Sequence, residues 1–172
     1  MIRFEEEWED ENNNKHTEIA QIYRHSDGYP EAIINDLMNL FLFLKKTGTY
    51  RCASYTASQF IFIDKLKTAK MIMSYYLKKQ PEEITIDDIL NCNIDQPAFL
   101  LGHGVENPAD GIHGDEEYLY VVKVNEDKWH VKISRHYGFP TYDTQHAFEK
   151  AEWEFQGSLE KAYKKYCKKG RG

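Results

Sequence analysis

The chain is organised around the stretch Tyr23-Arg24-His25-Ser26-Asp27-Gly28-Tyr29-Pro30, which ends one apolar run and opens a strongly patterned helix. This stretch places a cation, an imidazole, a hydroxyl and a carboxylate at the bend between a strand and a helix. Gly28 is expected to permit unusual backbone dihedrals at the bend, and Pro30 suits the first position of a helix. The stretch therefore predicts a strand-to-helix junction that carries the densest chemistry in the chain.

Two long helices are predicted after this junction. The first has apolar residues at helical spacing and ends at Thr47-Gly48. Its stripe is Ile33, Ile34, Leu37, Met38, Leu40, Phe41 and Leu44. The second is expected from about Ser54 to Lys79, before Pro81, with a stripe of Phe62, Leu66, Ala69, Met73 and Tyr76. Thr85 with Asp88 resembles a capping box and predicts a short helix from Thr85 to Leu90.

Two hairpins and a single strand are predicted from apolar runs. Ile2 to Trp8 and Thr17 to Tyr23 flank a polar loop, which indicates an antiparallel hairpin. Pro97 to Leu101 predicts a strand. In the second hairpin Tyr118, Tyr120, Val122 and Val124 alternate with Leu119, Val121 and Lys123, and the returning strand places Trp129, Val131 and Ile133 on one face.

The chain is predicted to close with a third long helix. It is expected from about Thr144, capped by Asp143, with the stripe Phe148, Ala151, Phe155, Leu159, Ala162, Tyr163 and Tyr166. Its basic end, from Lys164 to Arg171, complements the helix dipole.

These elements predict an α+β fold. We expect an antiparallel sheet of about five strands with three longer helices packed mainly on one face, in a single globular domain spanning residues 1–172. The helices arrive consecutively rather than alternating with strands, which disfavours a parallel doubly wound sheet.

Composition limits the class of protein. The net charge of -6 disfavours general binding to duplex nucleic acid, because that affinity depends on clustered Lys and Arg. Cys52, Cys92 and Cys167 form neither a CxxC pair nor a Cys/His zinc pattern, so reduced thiols are the simplest interpretation. No apolar run approaches the about 20 residues that span a bilayer, and the first residues do not resemble a signal peptide. We therefore expect a cytoplasmic protein with no membrane partner.

A second polar motif follows a long Gly-rich connection. The connection runs from Gly102 to Asp115, and loops longer than about 12 residues without structure of their own are often functional. It leads into His113-Gly114-Asp115-Glu116-Glu117-Tyr118-Leu119-Tyr120, at the mouth of the predicted second hairpin. Two polar motifs at strand ends favour a shared site over two isolated turns.

The two motifs together resemble a family of small uncharacterised proteins of bacteria, archaea and their viruses. In that family an Arg-His-x-Asp-Gly-Tyr-Pro element lies between a hairpin and a helix, and a His-Gly-Asp-x-Glu-Tyr element begins a later hairpin. The resemblance implies the same element order, an origin in a virus or mobile element, and a role for both motifs. It implies no particular reaction.

The residues of the two motifs suit an anionic, nucleotide-like small molecule. Arg24 and His25 are expected to contact the anion, helped by the N-terminus of the following helix, and the tyrosines to stack on or line the ligand. The predicted ligand-binding residues are Tyr23, Arg24, His25, Asp27, Tyr29, His113, Asp115 and Tyr118. We assign no metal ligand and no cofactor from the sequence.

Three alternatives stay open. A metal-assisted phosphoesterase needs two or more of Asp27, Asp115, Glu117, His25 and His113 to meet around an ion with an open position for water. A purely architectural role needs only turn-forming hydrogen bonds from Asp27 and Asp115. A module that binds another protein would use exposed aromatic residues.

Overall fold

The computed structural model describes residues 1–24, 28–93, 103–112, 116–135 and 146–168. Its strands are β1 (Ile2–Glu9), β2 (Lys15–Arg24), β3 (His103–Glu106), β4 (Tyr118–Lys123), β5 (His130–Arg135) and β6 (Phe155–Ser158). Its helices are α1 (Pro30–Thr47), α2 (Ala53–Leu77), α3 (Ile86–Leu90), α4 (Ala147–Lys150) and α5 (Leu159–Tyr166). Short 3-10 turns lie at Pro81–Glu83 and Pro108–Asp110.

The fold is α+β, as predicted, but its sheet is mixed. Among the described residues, six strands pair in the order β3-β2-β1-β4-β5-β6. All neighbours are antiparallel except β1 and β4, which run parallel, so the expectation of a wholly antiparallel sheet of about five strands is wrong. The chain between β1 and β4 passes through helices, and such a crossover allows two strands to pair in parallel. Local hairpin signals carry no information about this distant pairing.

Several local predictions in the first half of the chain are confirmed. β1 and β2 form the expected hairpin, and α1 begins at Pro30 and ends at Thr47, with Gly48 as its C-cap at a φ of 64°. The capping box at Thr85 precedes α3. Gly48 and Gly111 have positive φ values of 64° and 79°. The expectation for the bend at Gly28 involves residues outside the description and stays a prediction.

Two predictions in the second half are wrong. The connection from Gly102 to Asp115 contains β3 and a 3-10 turn. β3 is a short edge strand that forms by pairing with β2, and it has no apolar pattern from which the sequence could predict it. The predicted closing helix is instead α4, strand β6 and helix α5, and Ser158 caps α5 by accepting a hydrogen bond from the Lys161 N–H. Phe155 pairs with Ile133 at the sheet edge, where β-pairing replaces the helix.

The main core lies between one face of the sheet and the helices α1, α2 and α5. It contains Ile2, Phe4, Ile22, Tyr120, Val122, Val131 and Ile133 from the strands and Ile33, Leu37, Leu40, Phe60, Leu159 and Ala162 from the helices. The long helices α1 and α2 pack on one face as expected, and the short α5 joins them there in place of the predicted third long helix. The predicted stripe of α2 is partly wrong: Ala69 and Met73 are buried, but Phe62 is 63% exposed. The buried face of α2 instead includes Ala57, Phe60 and Asp64.

A smaller apolar cluster covers part of the opposite face. It contains Met1, Ile112, Leu119, Val121, Ala147 and Phe148. The predicted strand from Pro97 to Leu101, the predicted helix start at Asp143 and Thr144, and the end of the basic tail lie outside the described residues. Within the described ranges, no helix combines the length and the apolar character needed to cross a membrane.

Candidate functional site

The two sequence motifs flank the same end of the sheet. Ile2 of β1 pairs with Ile22 of β2 on one side and with Tyr120 of β4 on the other. Arg24 and Tyr118 each lie two residues further toward this end, so they are level with each other and on the same face. Two strand spacings separate them, which is about 10 Å. The end of β2 in the first motif therefore lies close to the start of β4 in the second motif.

The flanks of the two motifs also touch directly. The rings of Tyr29 and Tyr118 meet edge to face, with centroids 6.0 Å apart. Tyr120 Oη donates a hydrogen bond of 2.6 Å to the Gly28 carbonyl oxygen. We call Gly28, Tyr29, Tyr118 and Tyr120 the motif junction. Burial raises the pKa of Tyr120, so its hydroxyl remains a donor at neutral pH.

The outer side of the motif junction offers aromatic and cationic groups. The side chain of Tyr29 is 55% exposed. The Arg135 guanidinium lies over the Tyr118 ring, 5.8 Å from its centroid, and pairs with Glu117 at 3.1 Å. Flat rings beside a guanidinium group suit a planar ligand that carries negative charge.

The N-terminus of α1 has little to offer an anion. Tyr29 is the N-cap residue and makes no capping hydrogen bond through its side chain. The Tyr29 carbonyl already accepts hydrogen bonds from the N–H groups of Ala32 and Ile33, and Pro30 has no N–H. Glu31 adds a negative charge in the first turn. Any anion at the motif junction must therefore be held mainly by side chains.

Arg24 lies in a buried group of charged residues beneath the helices. Its guanidinium pairs with Asp36 of α1 at 3.1 Å and with Asp64 of α2 at 3.5 Å. His103, opposite Arg24 on β3, places its Nε2 2.5 Å from Asp64 Oδ2. Lys67 pairs with Asp36 from the solvent side at 3.1 Å. We call Arg24, Asp36, Asp64 and His103 the buried ion cluster.

The surroundings of Asp64 in the buried ion cluster favour its charged form. Burial pushes the pKa of Asp64 upward, but the contact with His103 and the positive charge of Arg24 outweigh it and hold that pKa below its ordinary value. His103 Nε2 lies close to Asp64 Oδ2 but in a direction that does not favour a hydrogen bond. Because two carboxylates already engage its guanidinium, Arg24 is held in place rather than presented to solvent.

Some of the other predicted site residues lie on one face of the sheet or the other, and the rest lie outside the described residues. Tyr23 follows the alternation of β2 to the opposite face from Arg24 and packs against the smaller apolar cluster. Tyr29 and Tyr118 meet at the motif junction. His25, Asp27, His113 and Asp115 lie outside the described residues.

Sequence reasoning missed Asp36, Asp64 and His103. Asp64 lies four residues after Phe60 and seven after Ala57, so helical spacing places this carboxylate on a buried face. A carboxylate at a buried position requires a counter-charge, so the helical spacing of Asp64 could have indicated a buried ion pair. The large apolar residues Phe62 and Leu66 suggested a different face for α2.

A second group of acidic residues lies further along the sheet. Glu6 and Glu18 face each other across β1 and β2, and together with Cys52 they offer ligand atoms within 4.8 Å of one another. Tyr50 Oη donates to Glu6 at 2.5 Å, and Glu18 accepts hydrogen bonds from the Ser54 N–H and the Cys52 thiol. In the part of the chain that the structure describes, this is the one group of three or more such side chains close enough to hold a metal ion. It lies away from both motifs.

Comparisons of this chain with protein-family models, curated proteins and solved structures found no match. The fold and the site together define an α+β protein whose two polar motifs flank one end of a mixed sheet.

Proposed function

We propose that this protein binds an anionic, nucleotide-like small molecule at the motif junction. The observation that carries the proposal is the direct contact between the flanks of the two motifs, through Tyr29 with Tyr118 and Tyr120 with Gly28. Motifs joined in this way are positioned to contact one ligand together.

The chemistry of the junction assigns a role to each group. The exposed ring of Tyr29 stacks on a planar base, and Arg135 supplies positive charge beside Tyr118. His25 and His113 provide further contacts to the anion, since His25 lies three residues before Gly28 and His113 five residues before Tyr118 in the sequence. Arg24 does not contact the ligand but holds β2 against α1 and α2 through its ion pairs with Asp36 and Asp64.

A thermal-shift screen against nucleotides, cyclic nucleotides and sugar phosphates tests the proposal. A ligand at 100 times its dissociation constant adds about 2.7 kcal/mol of stability, which is readily measured for a domain of this size. Tyr29→Ala is expected to lose the shift. Tyr75→Ala is the matched control, because Tyr75 is 82% exposed and lies near the end of α2.

A shift that survives Tyr29→Ala, or no shift across the whole panel, contradicts the proposal. Incubating any hit with protein and with Mg²⁺ or Mn²⁺, followed by analysis for hydrolysed ligand and released phosphate, separates a binding protein from a metal-assisted phosphoesterase.

A further inference from the structure

A small pocket lies between α1 and α2, beside the buried ion cluster. Its volume is about 190 Å³. Both helices line it with side chains at helical spacing: Asp36, Asn39 and Leu40 from α1, and Phe60, Ile63, Asp64 and Lys67 from α2. The pocket therefore combines apolar walls with two carboxylates at one end.

We propose that this pocket binds a small organic cation, a primary alkylamine, whose ammonium group takes the place of Lys67 on Asp36. This site is separate from the motif junction and does not depend on the function proposed there.

The pairing of Asp36 favours such an exchange. Its Oδ2 is held by the buried guanidinium of Arg24, whereas its Oδ1 is paired with Lys67 at 3.1 Å. The side chain of Asp36 is 12% exposed and that of Lys67 is 62% exposed. An ion pair to a lysine so exposed adds little stability, because solvent screens it and the long side chain must be ordered. A ligand ammonium can replace Lys67 at little cost.

The exchange also conserves charge. The ammonium of Lys67 leaves one carboxylate oxygen, and the ammonium of the ligand arrives at the same oxygen. Arg24 and His103 keep their contacts with Asp64, so no buried charge loses its partner. An anionic ligand would instead meet two carboxylates at this end of the pocket, and like charges repel.

The remaining walls set the size and character of the ligand. Ile63, which is 36% exposed, offers the apolar surface that covers methylene groups, whereas Leu40 and Phe60 are almost fully buried, and Asn39 adds a side-chain amide to the lining. Pockets for drug-sized ligands have volumes of about 300 to 1,000 Å³, and this pocket, at about 190 Å³, is smaller. A short diamine fits this space, whereas a nucleotide does not.

Isothermal titration calorimetry with butane-1,4-diamine at low ionic strength tests the inference, with butane-1,4-diol as the uncharged control. Wild type is expected to bind the diamine and not the diol. Lys67→Met removes the competing ammonium and is expected to tighten binding about two- to fivefold. Lys46→Met, at an exposed lysine in the last turn of α1, should leave the affinity unchanged.

Two further variants test whether the diamine binds in this pocket. Asp36→Asn is expected to abolish binding. Ile63→Trp fills the pocket from a position that is already 36% exposed, so it should abolish binding while the protein still folds, even if Asp36→Asn does not fold. Equal binding of diol and diamine, diamine binding that survives Ile63→Trp, or no binding to either wild type or Lys67→Met overturns the inference.

Discussion

The Nε2 atom of His103, on the edge strand β3, lies 2.5 Å from the Oδ2 atom of Asp64 on helix α2. β3 has four residues, and Val105 within it is 77% exposed, so apolar burial does little to hold this strand. The contact of the His103 ring with Asp64, together with backbone pairing to β2, fixes β3 to the rest of the fold. The buried ion cluster is thus an anchor between the sheet edge and the helical layer.

Arg24→Ala should be strongly destabilising. It leaves Asp36 and Asp64 buried without the guanidinium that joins them, and breaking a buried ion pair from one side costs about 3 to 5 kcal/mol. Urea unfolding measures the loss. Arg51→Ala, at an exposed arginine before α2, should change stability by no more than about 0.5 kcal/mol. A loss below about 1 kcal/mol for Arg24→Ala would show that the cluster does not hold the fold together.

Asp64 should make stability depend on acid pH. The pKa of Asp64 is lower in the folded protein than its ordinary value, so its stabilisation is complete above about pH 4 and is lost as the pH falls through the folded pKa. Urea unfolding of wild type and Asp64→Asn between pH 7 and pH 3 measures this effect. The variant should be less stable at pH 7 and should lose less stability below about pH 4. Parallel curves for the two proteins would refute the assignment.

Tyr50 should stabilise the facing carboxylates of Glu6 and Glu18. Like charges directly opposite on paired strands are destabilising, and Tyr50 Oη donates to one of them. Burial and this hydrogen bond raise the pKa of Tyr50. Tyr50→Phe should reduce the unfolding free energy by about 1 to 2 kcal/mol.

A double-mutant cycle isolates this contact. In a Glu6→Gln background the effect of Tyr50→Phe should shrink, whereas Tyr55→Phe, at an exposed tyrosine, should be neutral in both backgrounds. Additive effects of Tyr50→Phe and Glu6→Gln would mean that the two side chains do not interact.

Gly157 distinguishes strand β6 from the helix that its sequence suggests. In a helix interior, Gly157→Ala would stabilise the protein by about 1 kcal/mol. In the strand, an added Cβ lies 3.1 Å from the ring of Phe155, so the substitution should be neutral or destabilising. Ser158→Ala should lose about 1 kcal/mol as a helix cap is removed. A clear gain in melting temperature for Gly157→Ala would favour a continuous helix.

The predictable parts of the fold are those set by local sequence. The stripe from Ile33 to Leu44 defines α1, and alternation from Tyr118 to Val124 defines β4, because each pattern matches one backbone period. The parallel pairing of β1 with β4 depends on residues that are more than 100 positions apart in the sequence. In the last third, Phe155, Leu159 and Ala162 fit helical spacing, but the pairing of Phe155 with Ile133 overrides it.

The candidate site also has a part that the sequence predicts and a part that it does not. The chemistry-bearing motifs are visible in the sequence as clusters of polar residues beside strand ends. Asp64 and His103 are not, because residue type alone places charged groups at the surface. Their role follows from burial and from the register that sets His103 opposite Arg24.

One ligand that contacts both motifs should lose affinity when either motif is altered. Calorimetric titration of the nucleotide that gives the largest thermal shift, into wild type, Tyr29→Ala and His113→Ala, measures this, with Tyr75→Ala as the control. Loss of a stacked aromatic ring weakens base binding by about 1 to 3 kcal/mol, so Tyr29→Ala should raise the dissociation constant at least fivefold. We expect His113→Ala to raise it as well and Tyr75→Ala to leave it unchanged. If either motif variant binds as tightly as wild type while folded, the two motifs do not share a ligand.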